Sequence, residues 1–330
     1  MNQKRIVIAI AAASVVVVVS LASVGAQDYT PPRTSWGEPD LQGTFSNRTI
    51  TPLQRSQQFA GREFFTPEEA LALESQAQEQ SGDEGRERGT DGDVSRAYND
   101  FWWDRGTELT SLRTSLVVDP PDGRIPALTE AAQRAQANER NHPLFRSAGA
   151  AGGRGTDSWL DRSTFERCIT RGMPGAMSPS AYNNNYRITQ SPGYVAIEIE
   201  MLGGTRVIPT DGRPHVNTSI RQWMGDSVGR WDGDTLVVET TQVTDKILFR
   251  GAAEHLRLVE RFTRVGPGEI DYRVTIDDAT TFVSPWTMAI AFVDTGEGVF
   301  EYACHEGNYG MVGILYGARE EERAAAVAGR

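Results

Sequence analysis

From Tyr186 to Cys304 the chain is written almost entirely in short β runs. Tyr186–Thr189, Tyr194–Met201, Thr205–Ile208, Trp231–Val243, Leu256–Val265, Ile270–Ile276, Trp286–Val293 and Val299–Cys304 are each rich in β-branched and aromatic residues. Ser191-Pro192-Gly193, Gly203-Gly204, Asp211-Gly212 and Gly266-Pro267-Gly268 interrupt them, so turn signals recur about every 8–12 residues. The pattern therefore predicts a mostly-β fold: an antiparallel barrel or strongly curved sheet, with an N-terminal and a C-terminal helix flanking it.

Alternate side chains on a strand face opposite ways, so each run sorts into two faces. Val195, Ile197, Ile199 and Met201 share one face, and Glu198 and Glu200 the other. Leu258, Glu260 and Phe262 oppose Arg257, Val259 and Arg261; Tyr272, Val274 and Ile276 oppose Asp271, Arg273 and Thr275. Glu198, Glu200, Arg257, Arg261 and Arg273 are expected to pair across strands on the solvent side. The competing reading places some of them in a polar cavity.

The helices have their own signals. Thr66-Pro67-Glu68-Glu69 is a capping box with proline at the first helical position, and predicts a helix to about Gln80. Thr129 caps a second over 130–140, and an Ala-rich helix is expected over 314–328. Residues 81–93 and 147–157 are Gly-rich and polar and read as flexible loops.

The N-terminus sets the expected compartment. Lys4 and Arg5 precede an apolar stretch from Ile6 to about Val24, and Val24 and Ala26 form a V-x-A cut site. This predicts a signal peptide over 1–26, a single mature domain over 27–330, no membrane span after cleavage, and a periplasmic or secreted protein. An even cysteine count in an exported chain predicts a Cys168–Cys304 disulfide; two buried free thiols are the alternative. The net charge of −11 disfavours nucleic acid as a partner.

Chemical motifs are sparse. The histidines, His142, His215, His255 and His305, form neither H-E-x-x-H nor H-x-x-x-H, so no metal site is expected. Neither G-x-G-x-x-G nor a Walker A pattern occurs, so no cofactor is expected. Cys304-His305-Glu306-Gly307-Asn308-Tyr309 is the densest polar cluster in the C-terminal half. His305 with Glu306, or with a strand carboxylate such as Glu198, is a candidate acid–base pair. Arg213, His215, Arg221 and Trp223 form a loop of recognition-type side chains, and Asn184 and Tyr186 lie in an amide-rich segment. A Cys168–Cys304 bridge would carry Arg171 toward His305.

Several segments together resemble a group of secreted, largely uncharacterised proteins of soil and marine bacteria: Pro39–Gly43, Arg113–Pro126, Asp161–Gly172, Tyr182–Tyr186, Arg221–Thr240 and Glu301–Asn308. This resemblance implies one exported unit and transfers no catalytic residue. Gly229-Arg230-Trp231-Asp232-Gly233-Asp234 is similar to the turn-and-strand texture of lipocalin-like (calycin) barrels. The expected architecture is thus a lipocalin-like barrel of unassigned oligomeric state. The first expected function is binding of a small organic ligand in the barrel mouth, by Arg171, Asn184, Tyr186, Arg213, His215, Arg221 and Trp223. The alternatives are a cofactor-independent lyase, isomerase or hydrolase using His305, and a structural envelope protein.

Overall fold

A computed structural model describes residues 29–81, 89, 104, 106–138 and 155–328. The expected signal peptide, the 81–93 loop except Ser81 and Gly89, a Phe101–Trp103 aromatic run and most of the 147–157 loop lie outside the described residues. The described chain forms β1 Gly43–Ser46, β2 Val117–Asp119, β3 Asn185–Ser191, β4 Tyr194–Ile199, β5 Gly204–Pro209, β6 Asp226–Asp232, β7 Thr235–Thr241, β8 Arg257–Gly266, β9 Glu269–Asp277 and β10 Trp286–Asp294. Its helices are α1 Pro67–Ser81, α2 Glu130–Asn138 and α3 Tyr309–Ala328.

The strands make a nearly closed antiparallel barrel, in the order β5-β4-β3-β1-β10-β9-β8-β7-β6, with β2 added beside β10. Every ladder on this nine-strand path is antiparallel. An odd count makes the two end strands, β5 and β6, run the same way. They meet through side chains rather than a ladder. Arg206 on β5 donates to the Ser227 hydroxyl on β6 at 3.1 Å. A Cβ at Gly229 would lie 3.0 Å from methyl groups of Ile208 and Thr210, a tight contact that glycine avoids. Residues 210–225 are the crossover that two parallel neighbours require.

The sequence reading holds for most strands and needs two corrections. Trp231–Val243 is not one strand: Asp232-Gly233-Asp234 turns β6 into β7, with Gly233 at φ +60°. Val299–Cys304 is not a strand. β9 takes one edge of β10, and β2 and β1 take the other, so no edge remains there. The Phe300 N–H instead donates to the Glu200 carboxylate at 3.1 Å. The capping box at α1 forms as expected, with Glu69 N–H on Thr66 Oγ1 (3.2 Å) and Thr66 N–H on Glu69 Oε2 (2.9 Å). Thr129 Oγ1 caps α2 by accepting from Ala132 N–H at 3.1 Å. Helix α3 begins at Tyr309, five residues before the expected start, and none of its residues is fully buried.

Aromatic rings fill the barrel. Tyr186 stacks on Phe292 (4.9 Å), Phe292 meets Tyr272 (5.2 Å), and Tyr272 meets Phe262 (4.7 Å). All are buried, each side chain contributing about 1.5–3 kcal/mol. One end is closed by residues 33–42: Leu41 is buried there, and Arg264 donates to the carbonyl of Asp40 at 3.0 Å. The other end is closed by Met173 and Met177, and by Phe249 stacked on Trp286.

Candidate functional site

The residues singled out from sequence do not converge. Cys168 and Cys304 are bridged, with Cα atoms 5.7 Å apart. His305 and Glu306 nonetheless sit exposed in the turn after Cys304, and neither side chain makes a hydrogen bond or ion pair among the described residues. Arg171 points into the closed end of the barrel and donates to the Ser178 carbonyl at 3.3 Å. Burial lowers its pKa, against the opposing influence of Tyr186 and Tyr182. Glu198 lies on the outer face beside Arg187 at 3.2 Å.

Most of the remaining candidates are engaged in contacts within the fold. Asn184 is buried and bonded on both sides of its amide, accepting from Ser180 N–H (2.8 Å) and donating to the Asp104 carbonyl (2.6 Å). The Tyr186 hydroxyl accepts from Asn47 (3.0 Å) and donates to the Ala176 carbonyl (3.1 Å). Burial pushes its pKa up to about 12. Arg213 sits where β5 ends, paired with Asp211 at 2.6 Å and over the Tyr194 ring. His215 and Arg221 lie toward the opposite end. His215 Nδ1 is 2.6 Å from Asp226, its Nε2 is 3.5 Å from Glu239, and Arg221 donates to the Glu254 carbonyl at 2.6 Å. Trp223 follows on the same crossover, 37% exposed.

On the outer wall Arg257 pairs across strands with Glu239 and Arg261 with Asp232 (3.0 Å), as expected, whereas Arg273 pairs within β9 with Asp271 (2.8 Å). Glu200 departs from that expectation. It is 2% exposed, because its carboxylate accepts the N–H groups of Asn185 and Phe300.

Two features went unread in the sequence. The first is inside the barrel. Arg206 donates to both oxygens of Glu260 (2.9 and 2.7 Å), and Tyr272 donates to Oε1 at 2.9 Å. The alternation places Glu260 on the apolar face, and that was the available signal. Burial works against the Arg206 charge, yet Glu260 holds its pKa above the ordinary value.

The second is a pocket of about 280 Å³ outside the barrel end at which β9 finishes. Leu128 and the α2 residues Ala131, Ala132, Ala135 and Gln136 form one wall; Arg250, Gly251, Thr280 and Thr281 form the other. Its shape follows from the sequence. The side of α2 turned to the body carries alanine, whose short side chain leaves space where leucine would pack. The facing wall is a two-residue turn. Phe249 and Ala252 exchange backbone hydrogen bonds (2.8 and 3.0 Å) around Arg250 at φ +53° and Gly251 at φ +98°. Positive φ at both central positions is the type I′ arrangement, which favours Asn-Gly. Arginine there bears a left-handed backbone costing roughly 1–2 kcal/mol. Its guanidinium makes no hydrogen bond or ion pair among the described residues. Although Arg250 reaches solvent, its surroundings desolvate it enough to lower its pKa.

No protein-family model and no curated protein matches the chain. Among solved structures, a point mutant of the fluorescent protein UnaG aligns with 40% of this chain and 86% of its own, at 11% identity and a TM-score of 0.23. A likeness at that level has no bearing on the site.

Proposed function

We propose that the protein is an exported binding protein for a small organic ligand, seated at the rim of the barrel end rather than in its packed interior. The observation that carries this reading is the pocket between α2 and the Arg250-Gly251 turn. Small-molecule sites are concave and mostly apolar, with a few placed polar groups, and start at about 300 Å³. This pocket has that character and nearly that size. Arg171, Tyr186, His215 and Arg221 then serve by fixing the end of the barrel on which the pocket is built, and Trp223 is carried on the same crossover. Export is supported by the disulfide, since such bonds persist in oxidising compartments. The leader-like N-terminal sequence supports it as well.

The test is expression of the full chain in an exporting host, followed by a thermal-shift screen of small organic compounds. A ligand at 100 times its Kd adds about 2.7 kcal/mol to stability, a clear rise in Tm. Ala132→Leu, which fills the pocket, should abolish that rise. A ligand shift indifferent to Ala132→Leu would overturn the location. An intact N-terminus on protein recovered from the host would overturn export.

A further inference from the structure

We infer that the ligand of this pocket carries a carboxylate gripped by Arg250, on a compact apolar body lying against Ala131, Ala132 and Ala135. The inference rests on the pocket reading above and names the ligand's chemistry. The chain is acid-rich, with 44 Asp and Glu against 33 Lys and Arg. Most of its barrel arginines find carboxylate partners: Arg187, Arg257, Arg261 and Arg273 each hold one within 4 Å on the outer wall, and Arg206 holds one inside. Arg250 lines a pocket and holds none. A partly desolvated guanidinium presents a planar fork that matches a carboxylate with two parallel hydrogen bonds.

Its neighbours sharpen the assignment. The Asp278 carboxylate, just before the wall residues Thr280 and Thr281, is already engaged. It accepts from the backbone N–H and the hydroxyl of both Thr280 and Thr281. Those hydroxyls, having donated to Asp278, offer only lone pairs to the pocket. Among the described residues, Arg250 is the one charged side chain lining the pocket, and it is available to an anion. Opposite the turn, Leu128 and the alanines of α2 present methyl groups, with Gln136 beside them, which suits a short alkyl or aryl body and disfavours a second charge. The backbone points the same way. A turn that favours asparagine has arginine instead, and a strained position kept against local preference fits a side chain used for binding.

The experiment compares acids with uncharged amides of the same shape, benzoate with benzamide and hexanoate with hexanamide. Affinity is read by calorimetry on the wild-type full chain and on Arg250→Asn, Arg250→Lys and Ala132→Leu. The acids should bind at least tenfold more tightly than their amides. Arg250→Asn should erase that preference while raising Tm, because asparagine suits the turn; Arg250→Lys should keep part of the preference. Acids and amides binding equally, with both lost in Ala132→Leu, would overturn the carboxylate assignment and leave the pocket standing. Absence of binding by all four probes, or binding that survives Ala132→Leu, would overturn the assignment and the pocket together.

Discussion

Arg206 of β5 and Glu260 of β8 form a two-bond ion pair inside the barrel, with side chains 3% and 0% exposed. The pair spans the interior from the β5–β6 seam, since Arg206 also donates to Ser227 (3.1 Å) and Thr240 (3.3 Å). Removing one charge strands the other in a medium that solvates it poorly. Arg206→Met should therefore cost about 3–5 kcal/mol in urea unfolding, whereas Arg206→Met combined with Glu260→Leu should recover most of it. Equal losses in the single and double variants would show that the stranded charge is not what matters.

The buried tyrosines set the alkaline limit. Burial raises Tyr186 to about 12, and burial, with Glu260 beside it, raises Tyr272 well above the ordinary value. An unfolded tyrosine titrates near 10, so the folded state holds its phenol protons more tightly. Stability from this source is complete below pH ~10 and falls as pH climbs from 10 through 12. Tm measured across that range should drop together with the appearance of tyrosinate absorbance. In Tyr186→Phe the drop between pH 10 and 12 should be shallower. An unchanged slope would remove Tyr186 from the account.

The disulfide ties the C-terminal tail to the segment before β3. It closes a loop of 136 residues, and Asn308 adds a bond from its side-chain amide to the Glu166 carbonyl at 2.8 Å. Because no residue of α3 is fully buried, packing contributes little to holding that helix. Cys168→Ala with Cys304→Ala should lower stability by about 4–5 kcal/mol in the chain-entropy account. Hydrogen exchange should rise most over 301–328. A uniform rise across the barrel would place the effect elsewhere.

Local signals made much of this structure readable. Turn dipeptides and two-residue alternation locate β3, β4, β8, β9 and β10 closely, because each strand has one apolar face and an abrupt end. The α1 capping box is legible because its hydrogen bonds lie within four residues. What the sequence hides is non-local. The Arg206–Glu260 pair joins residues 54 apart, and nothing near Arg206 marks it as inward-facing. The pocket is harder still, since it is made by small side chains on α2 opposite a turn whose strain shows only in its φ angles. His305 draws attention through local density of polar residues, yet density in a turn says nothing about burial.

The seam between β5 and β6 gives the barrel its weakest wall. No ladder joins these strands, and Gly229 leaves little room for a side chain between them. Gly229→Ala places a methyl group 3.0 Å from Ile208 and Thr210, contacts that a small shift relieves. Gly229→Leu cannot be accommodated so easily; forcing extra methylene groups into a packed interior costs about 1–3 kcal/mol. The strain should open the seam before it disturbs the paired strands, because side-chain contacts there have no backbone ladder behind them. Hydrogen exchange in Gly229→Leu should quicken in β5 and β6, while β9 and β10 keep their protection. Equal loss of protection in all four strands would mean that the barrel yields as one unit, and that the seam is no weaker than its ladders.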